Sequence, residues 1–208
     1  MATHCFIYMF FLTSVYPMKN TKFSTKKTVY TAVFAALILL ATFLFRIPTP
    51  AFGYIHVGDG FVLLAAVFLG PGLGGLAAGI GSGLSDLIGG YPVWAPGSFV
   101  IKFLTALTAA LLYRFLTKKL RRMTAGISVP SVIIAGIAGE AVMIIGYFLY
   151  NILIISLASG SVSGTGLAAA VTVSLTEIPF NIAQGCIGIV LSSLLAPLFS
   201  GLLKQERF

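Results

Sequence analysis

The sequence predicts an all-α integral membrane protein of six transmembrane helices with both termini cytoplasmic. Three observations predict it. Only 9% of the 208 residues are charged, against 58% apolar, where a soluble domain carries roughly 25% charged residues. Mean hydropathy is +1.04, which excludes disorder and an ordinary soluble enzyme. Eleven of the 13 Lys and Arg residues are grouped at the chain ends and in one internal connection. Such grouping is how a membrane protein marks its cytoplasmic side.

Each element follows in order. Residues 1–17 carry an apolar run, Cys5 to Val15, too short to span and without the flanks of a signal peptide. They read either as an extension upstream of Met18 or as an interfacial flap. Residues 18–208 then form one membrane domain. The first span covers Thr28 to Phe45. The Pro- and Gly-rich segment IPTPAFGYIHVG follows, extended and extracytoplasmic. A short second span covers Asp59 to Leu69, and GPGLGG (Gly70 to Gly75) turns the chain on the cytoplasmic side. The third span, Leu76 to Ile88, ends at the outer loop GGYPVWAPG. The fourth covers Phe99 to Leu116 and runs into TKKLRR. The fifth covers Val129 to Ile155, and a Gly/Ser loop precedes the sixth stretch, Leu167 to Leu203. That stretch is too long for a straight crossing, so bends are expected at Pro179 and Pro197.

Charge tests the count. Six spans with the N-terminus inside put Lys19, Lys22, Lys26, Lys27, Arg114, Lys118, Lys119, Arg121, Arg122, Lys204 and Arg207 on the cytoplasmic side. Only Arg46 and Lys102 remain near the outer face. Five spans would scatter these charges between the two sides.

Ionisable groups inside the bilayer are the functional pointers, since each costs roughly 2.5–3.5 kcal/mol to insert. Four acids qualify: Asp59, Asp86, Glu140 and Glu177. Asp86 and Lys102 flank the outer loop at equal distance from Trp94. They form either a structural ion pair or part of a pocket. Asp59 is placed to cap the second helix. Glu177, Asn181 and Gln184 share one helix face at i, i+4, i+7 spacing, and Glu140, Tyr147 and Asn151 form a matching stripe. Facing stripes on antiparallel helices make a polar pocket open to the outside, or else hydrogen-bonded glue between helices. Tyr54, Tyr91 and Trp94 are interfacial anchors or stacking surfaces for a flat heterocycle. His56 has no second histidine nearby with which to hold a metal.

No catalytic residues, metal site or cofactor are expected. GPGLGG lacks the Lys-Ser/Thr ending of a phosphate-binding loop, and no hydrolase motif is present. Ala32 and Ala36 give the first span a small-xxx-small strip for close helix approach.

From about Lys26 to Leu203 the chain resembles the substrate-binding S components of energy-coupling factor (ECF) vitamin transporters. The resemblance rests on the size and helix count, on Ala32-xxx-Ala36, on Gly53 to Lys102 and on EIPFNIAQG (Glu177 to Gly185). It is closest to the riboflavin, hydroxymethylpyrimidine and pyridoxine group. It implies a bilayer protein that captures a small vitamin, with pyridoxine or hydroxymethylpyrimidine favoured and riboflavin as a further choice. It also implies docking through Ala32 and Ala36 onto a coupling membrane subunit, the T component, with two ATPase subunits beneath. Pocket residues carried over are Trp94, Lys102, Glu140, Asn151, Glu177, Asn181 and Gln184, with Tyr54, His56 and Tyr91 in a lid. A bacterial-type plasma membrane follows, and nucleic acid is no partner. Two rival readings stand beside it: a solitary proton-coupled carrier using Glu140 and Glu177, and a non-transport scaffold.

Overall fold

The computed structural model describes residues 25–49, 53–120, 127–160 and 164–199. The N-terminal segment 1–17, the start at Met18, Arg121 and Arg122 of the TKKLRR connection, and Lys204 and Arg207 lie outside them. Among the described residues are five helices and a minimal hairpin: α1 (Thr25–Leu44), β1 (Ile47–Pro48), β2 (Tyr54–Ile55), α2 (Gly58–Ile88), α3 (Ala95–Leu120), α4 (Val129–Ala158) and α5 (Gly164–Leu198). All five helices are long and apolar enough to cross a membrane.

Helix α2 merges the second and third spans expected from sequence, with one interruption. Its 31 residues would extend about 46 Å if straight, well beyond a hydrocarbon core of about 30 Å. Gly70 breaks it, at φ 80° and ψ −172°, a conformation open to glycine but not to residues with a Cβ. Pro71 follows without an N–H to continue the ladder. The chain folds back here. A Cβ on Gly74 would lie 2.6 Å from the Ala65 carbonyl oxygen, whereas residues nine apart on a straight helix are separated by about 13 Å. Two arms, 58–69 and 71–88, therefore pack side by side. The break is narrower than the six-residue turn expected from GPGLGG, because residues 71–75 are already helical.

The arms of α2 form the middle of the bundle, packed chiefly on α3 and α1 and then on α5. Val62, Leu63 and Leu64 on the first arm meet Phe34 and Ile38 of α1 and Val132 of α4 in the core. Phe68 stacks on Phe34 with ring centroids 6.1 Å apart and meets Phe199 at 6.0 Å. Outward faces are apolar too, including Leu44, Phe115 and Leu194, because the surroundings are lipid and not water. Helix α4 starts at Ser128, whose hydroxyl accepts from the Ser131 N–H, with Pro130 in the first turn, where its missing N–H costs nothing. Helix α5 stays one helical element through Pro179 and Pro197.

β1 and β2 pair antiparallel, Ile47 opposite Ile55 and Pro48 opposite Tyr54. This small hairpin bridges α1 and α2 at the end of the bundle where α2 gives way to α3.

A cavity with two layers of polar side chains

At that end of the bundle lies an open cavity whose empty space, mouth included, is about 470 Å³. The hairpin supplies Gly53, Tyr54 and His56. Asp86 comes from the last turn of α2, and Trp94 and Ser98 from the start of α3. Helix α4 contributes Tyr147 and Asn151, one turn apart, and α5 contributes Glu177, Asn181 and Gln184. The i, i+4, i+7 spacing of those last three brings all of them to one buried face.

The hairpin is held over this space by a network centred on Arg46. Its guanidinium donates to the Ser85 carbonyl at 2.6 Å and to the Ser85 hydroxyl at 2.8 Å, and its Nε donates to Thr42. It also lies over the Tyr54 ring at 4.6 Å and near Tyr91 at 5.7 Å, as expected for a cation over an aromatic face. Tyr54 packs against Tyr91 at 5.1 Å and donates its hydroxyl to Asp86 Oδ1. Burial and the Asp86 charge hold the Tyr54 phenol well above its usual range. Tyr91 thus backs Tyr54 and does not itself line the cavity. Trp94 meets Tyr150 edge to face at 5.7 Å, while the Tyr150 hydroxyl donates to the Val93 carbonyl at 2.7 Å. The Tyr147 hydroxyl donates to Ser98 at 2.9 Å.

Beneath the cavity sits a second, closed layer. Lys102 Nζ lies 2.5 Å from Asp59 Oδ1, and neither side chain is exposed. Asp59 Oδ2 accepts from Gln184 Nε2 at 2.6 Å, and Gln184 Oε1 accepts from the His56 backbone N–H at 3.1 Å. A carboxylate can only accept and an N–H only donate, so the amide orientation is fixed. His56 Nδ1 accepts from the Gly58 N–H at 3.1 Å, which leaves the other ring nitrogen to carry the proton. Burial pushes the His56 pKa down to about 3, with Lys102 and Arg46 acting the same way against Asp59. The ring is neutral at physiological pH.

Two expectations from sequence are corrected here. Lys102 pairs with Asp59 and not with Asp86, which instead lines the cavity and takes the Tyr54 hydroxyl. Asp59 does not cap α2: the helix is capped at Val57 with no side-chain bond. A full cation within reach outcompetes the partial charge of a helix end. Lys102 and Glu140 also lie behind the cavity and not in its wall. Glu140 is 3% exposed and packs against Gly185 and Gly188 of α5. A Cβ on Gly188 would stand 2.8 Å from Asp59 Cβ and 3.4 Å from Glu140 Oε1. Ala32 and Ala36 are exposed on α1, turned away from buried Phe34 and Ile38. Ser98, Gly53 and Arg46 were missed as site residues. Ser98 lies one turn before Lys102 on the same face of α3, a spacing that could have found it.

Three comparisons with known proteins bear on this arrangement. The family model for the ECF-type riboflavin transporter S component matches residues 22–200. A solved structure described as the S component of a bacterial ECF transporter superposes with a TM-score of 0.59 at 24% identity. The superposition covers 86% of this chain and 98% of that one, and it shows the fold. An uncharacterized protein of Pyrococcus woesei is 50% identical over 66 residues, 31% of this chain and 44% of the relative. The match therefore spans under half the length of that curated relative. With a fold, an open cavity and a family model that agree over most of its length, the chain belongs to the ECF-type riboflavin transporter S components, a family of membrane-embedded substrate-binding subunits for vitamin uptake.

Proposed function

We propose that this chain captures a flat, uncharged vitamin from outside the cell and delivers it through partner ATPases. The observation that carries the reading is the cavity wall. Tyr54, Trp94 and Tyr147 offer aromatic surface, while Asn151, Asn181, Gln184, Asp86 and Glu177 offer acceptors and amide donors. A heterocycle with ring nitrogens and hydroxyl groups matches that combination. Riboflavin is the first candidate, on the strength of the family model. Pyridoxine and hydroxymethylpyrimidine, favoured by the sequence resemblance, are its competitors.

Counting the two arms of α2 separately gives six helical segments. The first arm, 12 residues long, rises only about 18 Å and enters the bilayer without crossing all of it. With the N-terminus inside, Lys26, Lys27, Arg114 and Lys118 face the cytoplasm of a bacterial-type plasma membrane and the cavity opens outward. The exposed Ala32 and Ala36 form the docking strip for a T component, and two ATPase subunits bind beneath. A proton-coupled carrier would require Glu140 and Glu177 to face one ligand space. Glu140 stands behind the wall, which weighs against that rival.

Trp94 is the chain's one tryptophan and lines the cavity, so it reports on occupancy. Purified protein titrated with riboflavin, pyridoxine, hydroxymethylpyrimidine and thiamine should show saturable Trp94 quenching by one of them, matched by calorimetry. Absence of binding by both methods, with the fold intact, would overturn the proposal.

A further inference from the structure

The two oxygens of Asp86 are treated differently. Oδ1 accepts from Tyr54, while Oδ2 is buried with no hydrogen-bond partner, although the residue lines the cavity. Ser98 also faces this carboxylate: its oxygen accepts from Tyr147, and its one O–H can turn to Asp86, which leaves the carboxylate capacity for a further donor from the cavity. A buried acceptor left unmet costs about 1–3 kcal/mol, and more when charged. A donor arriving in the cavity would remove that cost.

Among the described residues that line this space, none is a cation. Lys102 is committed to Asp59 and Arg46 to Ser85 and the tyrosine rings. Glu177 adds a second carboxylate to the wall, and His56 is neutral. A phosphate monoester carries a charge of about −1.5 to −2 near neutral pH. Here it would stand beside the like charge of the buried Asp86 carboxylate.

From these observations we propose that Asp86 determines ligand specificity in this cavity: it receives an N–H or O–H of an uncharged vitamin on Oδ2 and turns away the phosphate ester of the same vitamin. The inference rests on the vitamin-capture reading and deepens it. Because Oδ1 of the same carboxylate holds Tyr54, the residue that selects the ligand also fixes the hairpin above it.

The test compares each free vitamin with its phosphate ester on the full chain: riboflavin with riboflavin 5′-phosphate, and pyridoxine with pyridoxine 5′-phosphate. Wild type should bind the free form at least about a hundredfold more tightly, corresponding to the loss of a charge-assisted bond together with like-charge repulsion. Asp86→Asn, which keeps the shape and removes the charge, should lower affinity for the free form about tenfold and reduce the discrimination ratio by a similar factor. Tyr54→Phe removes the other partner but keeps the charge, so its ratio should stay near that of wild type even where affinity falls. Equal wild-type affinity for ester and free vitamin overturns the inference without any variant. An unchanged ratio in a folded Asp86→Asn protein also overturns it. If neither member of either pair binds wild type, the vitamin-capture reading fails and this inference falls with it.

Discussion

Asp59 and Asp86 stand near opposite ends of the same helical element, both almost fully buried, at 0% and 2% exposure. Their surroundings differ. Asp59 has both oxygens matched, by Lys102 and by Gln184, in a layer without open space. Asp86 has one oxygen matched and one bare, beside a cavity. Burial of charge is common to both and distinguishes nothing. Hydrogen-bonding capacity left unmet next to open space separates a residue that waits for a ligand from one that ties helices together. Asp59 ties three of them, since its partners stand on α3 and α5.

The hardest blow to that contrast is removal of Lys102. Lys102→Met leaves the Asp59 charge buried with only Gln184 for company, a change that costs about 3–5 kcal/mol in comparable buried pairs. The melting midpoint in detergent should drop sharply. A double variant, Lys102→Met with Asp59→Leu, should recover most of the loss, because an apolar pair of similar volume replaces an ion pair at little net cost. Vitamin affinity in the double variant should fall far less than in Asp86→Asn. A Lys102→Met protein that melts like wild type would erase the distinction between the two layers.

His56 sharpens the same comparison, because its ring lines the cavity while its backbone N–H anchors Gln184 in the layer below. Its folded pKa, about 3, is depressed from the ordinary 6.5. Between those values the unfolded chain binds a proton that the folded chain refuses, so stability is fully present above about pH 6.5 and drains as pH falls toward 3. Melting midpoints of wild type and His56→Gln should diverge over that window, wild type declining more steeply. Parallel profiles would mean that the ring is solvated and the layers are not coupled through it.

Much of the cavity was legible in the chain. The spacing of Glu177, Asn181 and Gln184 specifies a single helix face whatever the fold around it, and three polar residues on one face of an apolar helix need somewhere to point. Pro48, Pro50, Gly53 and Gly58 mark a non-helical, extended segment in the same local way, though not its pairing into a hairpin. The pairing of the charges was not legible. Counting residues back from a turn gives Asp86 and Lys102 similar depth but says nothing of which way each side chain points around its helix. The fold-back at Gly70 then brings a different acid, 43 residues from Lys102 in sequence, into the gap. Asp59 at a helix start suggests capping by local logic, and only the packed bundle reveals that a lysine reaches it first.

Glu140 is the smallest and most diagnostic case, because it belongs to neither pattern. It is as buried as Asp86 and has no partner on either oxygen among the described residues, yet it stands outside the wall of the cavity and lies against Asp59 across Gly188. A buried acid with neither oxygen matched, beside an ion pair already balanced, is a cost that the packing imposes. Glu140→Gln keeps the volume, replaces the acid by an amide and adds a donor facing Asp59. It should therefore leave the melting midpoint unchanged or raise it slightly, a stability gain of about 1 kcal/mol at most, with vitamin affinity held within about threefold, under 1 kcal/mol. A tenfold loss of affinity in that variant would place Glu140 in contact with the ligand and restore the facing carboxylates that a proton-coupled carrier needs. Retained affinity leaves Asp86 and Glu177 as the acids that meet the vitamin, and Glu140 as a residue set by the interior of the bundle alone.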